Sequence, residues 1–185
     1  MSKVIVAIQA RMGSQRLPGK VLIYLHGKPM LRRVWDACEG NWERVVLTSL
    51  KEENDILCDY MDEAGMSYAR GSEQDVLSRY INLLVSEPDD TILVRVCGDA
   101  PFIKSDWIES AIGIGGCVVD GVLHCGTKAT WMNAYRQRTQ EDEEHAGFYW
   151  FDRMVPHIKL APEDYMTVNT WEELEEAVRR LSGNS

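Results

Sequence analysis

From Lys3 to Gln9 the chain is a short β-branched and apolar run, the pattern of a buried first strand. A polar stretch, Ala10 to Lys20, follows and is punctuated by Gly13, Pro18 and Gly19. Pro29 then suits the first turn of a helix whose apolar positions are Met30, Leu31, Val34, Trp35 and Cys38. Arg44 to Ser49 reads as a second strand. Glu52 to Ala64 reads as an amphipathic helix with Ile56, Leu57, Tyr60 and Met61 on one side and Gly65 as its stop. After the short segment Met66 to Ala69 and the polar Arg70 to Asp75, another helix carries Val76, Leu77, Tyr80, Ile81 and Leu84. Thr91 to Cys97 is the most strand-like run in the chain. It ends in Gly98-Asp-Ala-Pro101, and a helix starts near Ser105. This alternation predicts an α/β protein with a mostly parallel central sheet and helices on both faces.

Beyond residue 113 the pattern weakens. Residues 113–130 are glycine-rich and predict one short strand around Val118 to His124. A helix near Glu141 to Met154, a strand from Tyr165 to Val168 and a terminal helix from Thr170 complete the expectation. Thr170-Trp-Glu-Glu173 has the Thr-x-x-Glu spacing of a capping box. With no repeat and no linker-like segment, residues 1–185 read as a single domain.

Composition narrows the function. The chain is 45% apolar and 26% charged, ordinary for a globular protein. No apolar run approaches the roughly 20 residues of a membrane span. The N-terminus enters its strand without a signal-peptide pattern, so a cytoplasmic location with no membrane partner is expected. Five cysteines form no C-x-x-C pair and four histidines show no ligand spacing, which disfavours a disulfide framework or a zinc site. A net charge of −9 argues against a nucleic-acid partner. Yet residues 1–35 hold Lys3, Arg11, Arg16, Lys20, Lys28, Arg32 and Arg33 and no acidic residue. A basic unit on an acidic protein points to a local anion site, with a solvated basic face as the plain alternative.

The stretch Gln9-Ala-Arg-Met-Gly-Ser-Gln-Arg-Leu-Pro-Gly-Lys20 carries the strongest chemistry. A loop after the first strand of a parallel sheet lies at the carboxyl edge, where such folds bind ligands. Gly13 lets the backbone come close to a ligand, with neighbouring amides available to phosphate oxygens. Arg11, Arg16 and Lys20 supply charge, Arg as a fork and Lys as a point. The loop matches neither the dinucleotide nor the P-loop fingerprint. On the residues alone, a phosphate loop and an ordinary surface loop are equally open.

The motif Ala-Arg-x-x-Ser-x-Arg-Leu-Pro-Gly-Lys resembles the signature loop of the bacterial cytidylyltransferases that activate acidic sugars. These include the 3-deoxy-manno-octulosonate and acylneuraminate cytidylyltransferases, and the form here is most similar to the spore-coat polysaccharide biosynthesis branch. The resemblance implies a Rossmann-like three-layer nucleotidyltransferase fold. It also implies Arg11 and Lys20 on phosphate, and Ala10, Gly13, Ser14 and Arg16 beside the nucleotide.

Arg70-Gly-Ser-Glu-Gln-Asp-Val-Leu-Ser-Arg-Tyr80 is similar to the family's second nucleotide segment, implying base and ribose contacts from Gly71, Ser72, Asp75 and Arg79. On its residues alone, Ser72 is equally good as a helix N-cap and Asp75 as a favourable charge at a helix N-terminus. Gly98-Asp99 places a carboxylate at the end of a central strand, with Gly98 allowing close approach. Mg²⁺ takes such hard oxygens together with substrate phosphates, and the resemblance implies that Asp99 is a metal ligand. The plain alternative is a turn aspartate.

Val168-Asn-Thr-Trp-Glu-Glu-Leu174 resembles the family's Val-Asp-Thr segment, whose Asp is a second metal carboxylate. Asn169 stands there instead and offers a carbonyl oxygen without charge. Val119-Asp-Gly-Val and Glu144-His145 resemble pieces near the family's acceptor site, and Arg136 and His145 are the candidate acceptor contacts. Trp131, Tyr135 and Trp150 are aromatic positions that fit either an acceptor pocket or the core. The implied reaction is Mg²⁺-dependent transfer of CMP from CTP to a sugar or acidic sugar with release of pyrophosphate, catalysed through Arg11, Lys20 and Asp99. A homodimer is implied by analogy. The rivals are transfer to a phosphonate or polyol phosphate, and a nucleotide-binding homologue without turnover.

Overall fold

A computed structural model of the chain describes residues 2–138, 153–161 and 164–183. Four strands lie side by side in parallel: β1 (Val4–Gln9), β4 (Glu43–Ser49), β5 (Tyr68–Gly71) and β6 (Ile92–Cys97). With β7 (Cys117–Val119), β8 (Leu123–Thr127) and β9 (His157–Ile158) they make one seven-stranded sheet in the order β5-β4-β1-β6-β8-β7-β9. Among the described strands, only β8 runs against its neighbours β6 and β7. The sheet is mostly parallel, as its alternating sequence predicts.

Strand β1 shows no polar alternation because both of its faces are covered. Val6 and Ile8 pack with Val46, Val94 and Val96 under α1 (Met30–Ala37), α2 (Asp55–Glu63) and α4 (Ser105–Ile114). Ile5 and Ala7 pack with Leu47 and Leu93 under α3 (Val76–Leu84) and α5 (Lys128–Gln137). Tyr80 stacks on Trp131 with ring centroids 5.3 Å apart, and Trp131 Nε1 donates to Leu93 O at 3.1 Å. Trp131 is fully buried and so belongs to the core. A third cluster, Leu17, Leu25, Met30, Val168, Leu174 and Ala177, seats α6 (Trp171–Gly183) against the long loop after β1.

Several expectations need correction. In α2 the buried side chains are Leu57, Cys58 and Met61, whereas Ile56 is exposed. The region 118–124 is not one strand but the hairpin β7–β8. Asp120 (φ 39°) and Gly121 (φ 70°) both take positive φ, and Val122 N bonds Val119 O at 2.9 Å. Two consecutive positive φ values are what a type I′ turn demands, and Asp-Gly supplies them. The short hairpin β2 (Tyr24–Leu25) to β3 (Lys28–Pro29) uses His26 and Gly27 in the same way.

Among the described residues, the segment Tyr165 to Val168 pairs with no strand. Val168 N instead donates singly to Asp99 O at 2.8 Å, beyond the end of β6. Most of the helix expected near Glu141 to Met154 lies outside the described residues. Among the described residues, no helix is long and apolar enough to cross a membrane.

Candidate active site at the carboxyl edge

Every parallel strand ends on one side of the sheet, and the loops that follow β1, β4, β5 and β6 therefore meet there. The first loop holds its shape by internal bonds. Met12 O accepts from Ser14 N at 2.8 Å and from Gly19 N at 3.0 Å, while Ser14 Oγ accepts from Leu17 N at 3.4 Å. Gly19 adopts φ 67°, a left-handed conformation that favours glycine. Leu17 is fully buried and anchors the loop from below.

Asn54 ties this loop to the end of β4. Its Oδ1 accepts from Met12 N at 2.9 Å and its Nδ2 donates to Ser49 Oγ at 2.7 Å. Asn54 is fully buried with both polar atoms bonded, which makes it a clamp. Sequence reasoning missed it, because one Asn in a polar run carries no local signal.

Lys20 enters the short 3₁₀ turn Lys20–Leu22, and its side chain runs inward with only 11% exposed. Its ammonium donates to Asp99 Oδ2 and, at 2.8 Å, to Asn169 Oδ1. Residues far apart in sequence thus converge on one cation. Gly98 makes this possible: its N–H bonds Gln9 O at 2.8 Å, and a Cβ there would lie 2.6 Å from the same oxygen. Asn169 is fixed by the start of α6. Glu173 Oε2 accepts from Asn169 N at 2.6 Å and Thr170 N at 3.0 Å, and Thr170 Oγ1 accepts from Glu173 N at 3.3 Å. The expected capping box is present, and it orients Asn169.

The loop after β5 supplies a second charged group. Arg11 Nη1 pairs with Glu73 Oε1 at 2.7 Å. Burial pushes the Glu73 carboxyl up, but the Ser49 hydroxyl, Arg11 and Lys51 together outweigh it and hold it below its ordinary value. Arg79 is almost wholly buried. Its Nε donates to Ser72 O at 2.6 Å and its Nη2 to Glu73 O at 3.3 Å, so it braces the loop from behind. Gly71 leaves room for that side chain, since a Cβ would come 2.8 Å from Arg79 Cγ.

Asp75, rather than Ser72, caps α3: its Oδ1 accepts from Ser78 N at 3.0 Å, while Ser72 Oγ accepts from Asp75 N. Asp75 Oδ2 pairs with Arg138 at 2.7 Å, and that guanidinium lies 3.4 Å from the Tyr135 ring centroid.

The structure therefore brings together Ala10, Arg11, Gly13, Ser14, Lys20, Gly71, Ser72, Asp75, Arg79, Gly98, Asp99 and Asn169 around one edge. Arg11 and Lys20 have no acidic neighbour along the chain, but the fold supplies Glu73 and Asp99. Arg16 is exposed on the loop surface. Arg136 is also exposed, and Arg138 is the residue just past α5 that reaches the site. His145 and Trp150 lie outside the described residues. Burial pushes the Cys97 thiol up to about 11, so beside Asp99 it stays protonated and is no nucleophile at neutral pH.

The profile of the Cytidylyltransferase family matches residues 5–113, more than half of the chain. The chain is a member of the cytidylyltransferase family. Among relatives, the spore coat polysaccharide biosynthesis protein SpsF of Bacillus subtilis is 35% identical over 119 residues, covering 60% of this chain and 49% of that protein. The 3-deoxy-manno-octulosonate cytidylyltransferase of Chromohalobacter salexigens is 37% identical over 115 residues, covering 60% of this chain and 44% of its own. This cytidylyltransferase chain thus spans about half the length of these curated relatives.

A solved cytidylyltransferase from Leptospira borgpetersenii superposes with a TM-score of 0.85 at 23% identity, covering 99% of this chain and 88% of that one. A CMP:2-keto-3-deoxy-manno-octonic acid synthetase, solved with CTP, gives a TM-score of 0.74 at 16% identity over the whole of both chains. At these identities the likeness bears on the fold alone: the mostly parallel sheet with helices on both faces is shared with these solved proteins.

Proposed function

We propose that this cytidylyltransferase-family chain transfers CMP from CTP to a sugar or acidic sugar, with Mg²⁺, and releases pyrophosphate. One observation carries the reading. Lys20, Asp99 and Asn169, from three separate segments, converge at the carboxyl edge beside the clamped Arg11–Lys20 loop. Such transfers need positioned charge more than covalent help. Arg11 and Lys20 would offset the charge that grows on the departing pyrophosphate. Asn54 and Gly19 keep the loop closed in the shape that presents them. Asn169, held by Glu173, keeps a neutral oxygen on the same point as Asp99.

The donor set suits a hard cation. One carboxylate oxygen and one amide oxygen already face a single positive group, here the Lys20 ammonium. Among the described residues no cluster of three or more Asp, Glu, His or Cys is found, and phosphate oxygens and water would supply the other ligands of such an ion. Asp99 and Asn169 would hold Mg²⁺, which when bound polarises the α-phosphate. The relatives named for sugar-acid activation and spore-coat polysaccharide synthesis support a sugar-like acceptor.

A thermal-shift panel of CTP, UTP, ATP, GTP and dTTP, with Mg²⁺ or with EDTA, tests this reading. A nucleotide at a hundred times its dissociation constant stabilises by about 2.7 kcal/mol, a rise of roughly 5–10 °C for a domain of this size. The expected result is a Mg²⁺-dependent rise with CTP, followed by pyrophosphate release when a sugar acid is added. CTP binding without pyrophosphate release on any sugar, phosphonate or polyol phosphate would leave only a binding module. No shift with any nucleotide would overturn the reading.

A further inference from the structure

The geometry assigns Lys51 to the triphosphate site as a cation acting beside Arg11. Lys51 lies two residues past the end of β4, the strand that neighbours β1 at the carboxyl edge. Its Nζ lies 3.5 Å from Glu73 Oε1, the same oxygen that Arg11 Nη1 meets at 2.7 Å. Arg79 Nη2 approaches the other oxygen, Oε2, at 3.7 Å. One carboxylate thus lies within reach of three cations, Arg11, Lys51 and Arg79, at the rim where a polyanion is to dock.

The position of Lys51 is built rather than accidental. Its carbonyl accepts from Arg70 Nη2 at 2.9 Å, Asn54 N at 3.0 Å and Asn54 Nδ2 at 3.4 Å. That same Asn54 bonds Met12 N, so one buried residue fixes both the anion loop and the backbone that carries Lys51. The Lys51 side chain is 56% exposed, and its ammonium is a mobile point charge on a fixed base. Glu73 holds Arg11 and Lys51 together, and an arriving phosphate meets both. Because Arg11 serves the departing pyrophosphate, Lys51 acts on those phosphates and not on the one retained in CMP.

This inference rests on the triphosphate reading of the loop after β1. Isothermal titration of the whole chain with CTP, CMP and inorganic pyrophosphate separates the two claims. Lys51→Met is expected to weaken CTP and pyrophosphate by about tenfold, the scale of one lost charge-assisted contact. CMP should bind as before, and Lys51→Arg should retain most of the CTP affinity. The exposed position leaves folding intact, which the melting temperature verifies. If wild type binds CTP and Lys51→Met binds it equally well, or if CMP weakens to the same degree, the role of Lys51 is refuted. If wild type binds neither CTP nor pyrophosphate, the triphosphate reading falls and takes this assignment with it.

Discussion

Gly98→Ala is the sharpest test of how the fold makes the site. A Cβ at this position would lie 2.6 Å from Gln9 O and 3.1 Å from Ala10 Cβ. An ordinary carbon–oxygen contact is about 3.3 Å or more, so the end of β6 and the end of β1 must part by roughly half an ångström or more. Neither neighbour can swing aside, because one is backbone and the other a Cβ on the residue just past the end of β1. Overpacking of this kind costs about 1–3 kcal/mol. For a domain of this size each kcal/mol lowers the melting temperature by roughly 2–4 °C, a fall of about 2–12 °C.

The same displacement moves Asp99, whose carbonyl holds Val168 and whose carboxylate meets Lys20. The CTP·Mg²⁺-induced rise in melting temperature should therefore shrink along with basal stability. Gly113→Ala is the control: it lies inside α4, and a Cβ added there would meet nothing within 4 Å. That change should stabilise by about 0.5–1 kcal/mol through helix propensity. Circular dichroism melts with and without CTP·Mg²⁺ read both effects. A Gly98→Ala protein that melts within about 1 °C of wild type, with an unchanged nucleotide response, would refute the steric reasoning.

Two further outcomes are expected. Glu73 has a folded pKa below its ordinary 4.5, so it stabilises the native state above that value and loses the contribution as pH falls through the folded pKa. The stability gap between wild type and Glu73→Gln, followed by urea denaturation, should thus be open at pH 7 and narrow below about pH 4.5; a gap independent of pH would contradict the ion-pair cluster. Thr170→Ala removes the acceptor of Glu173 N and should cost about 1 kcal/mol, roughly 2–4 °C in a thermal melt. No change in melting temperature would mean the capping box contributes nothing to seating α6.

The parallel half of the sheet is legible in the sequence because its strands are buried on both faces and its helices carry one apolar stripe. Both signals are local and periodic, and β1, β4, β6, α1 and α3 fall where they point. The basic loop after β1 is legible as a turn-rich, positively charged segment, with Gly19 at the left-handed turn. Its residues alone leave an anion loop and an ordinary surface loop equally open, and the family resemblance makes the choice. The hairpin at Asp120-Gly121 also has a local signal, the Asp-Gly turn between apolar runs. The surrounding glycines blur that signal, and strands of three and five residues are too short to show a period. Tyr165 to Val168 looks like a strand by composition, yet its one bond to Asp99 O is decided by where β6 ends.

What the sequence by itself determined is the inventory: an α/β chain, a basic glycine-rich loop, a carboxylate after a central strand and a capped terminal helix. Only the tertiary structure decided how their charges are matched. Lys20 is paired across 79 residues with Asp99 and across 149 with Asn169, and Arg11 across 62 with Glu73. Asn54 became a clamp, and Arg138 rather than Arg136 reached the edge. Pairing at such separations has no periodic trace in the chain. It follows from which strand ends lie side by side, and that is set by the packing of both faces of the sheet together.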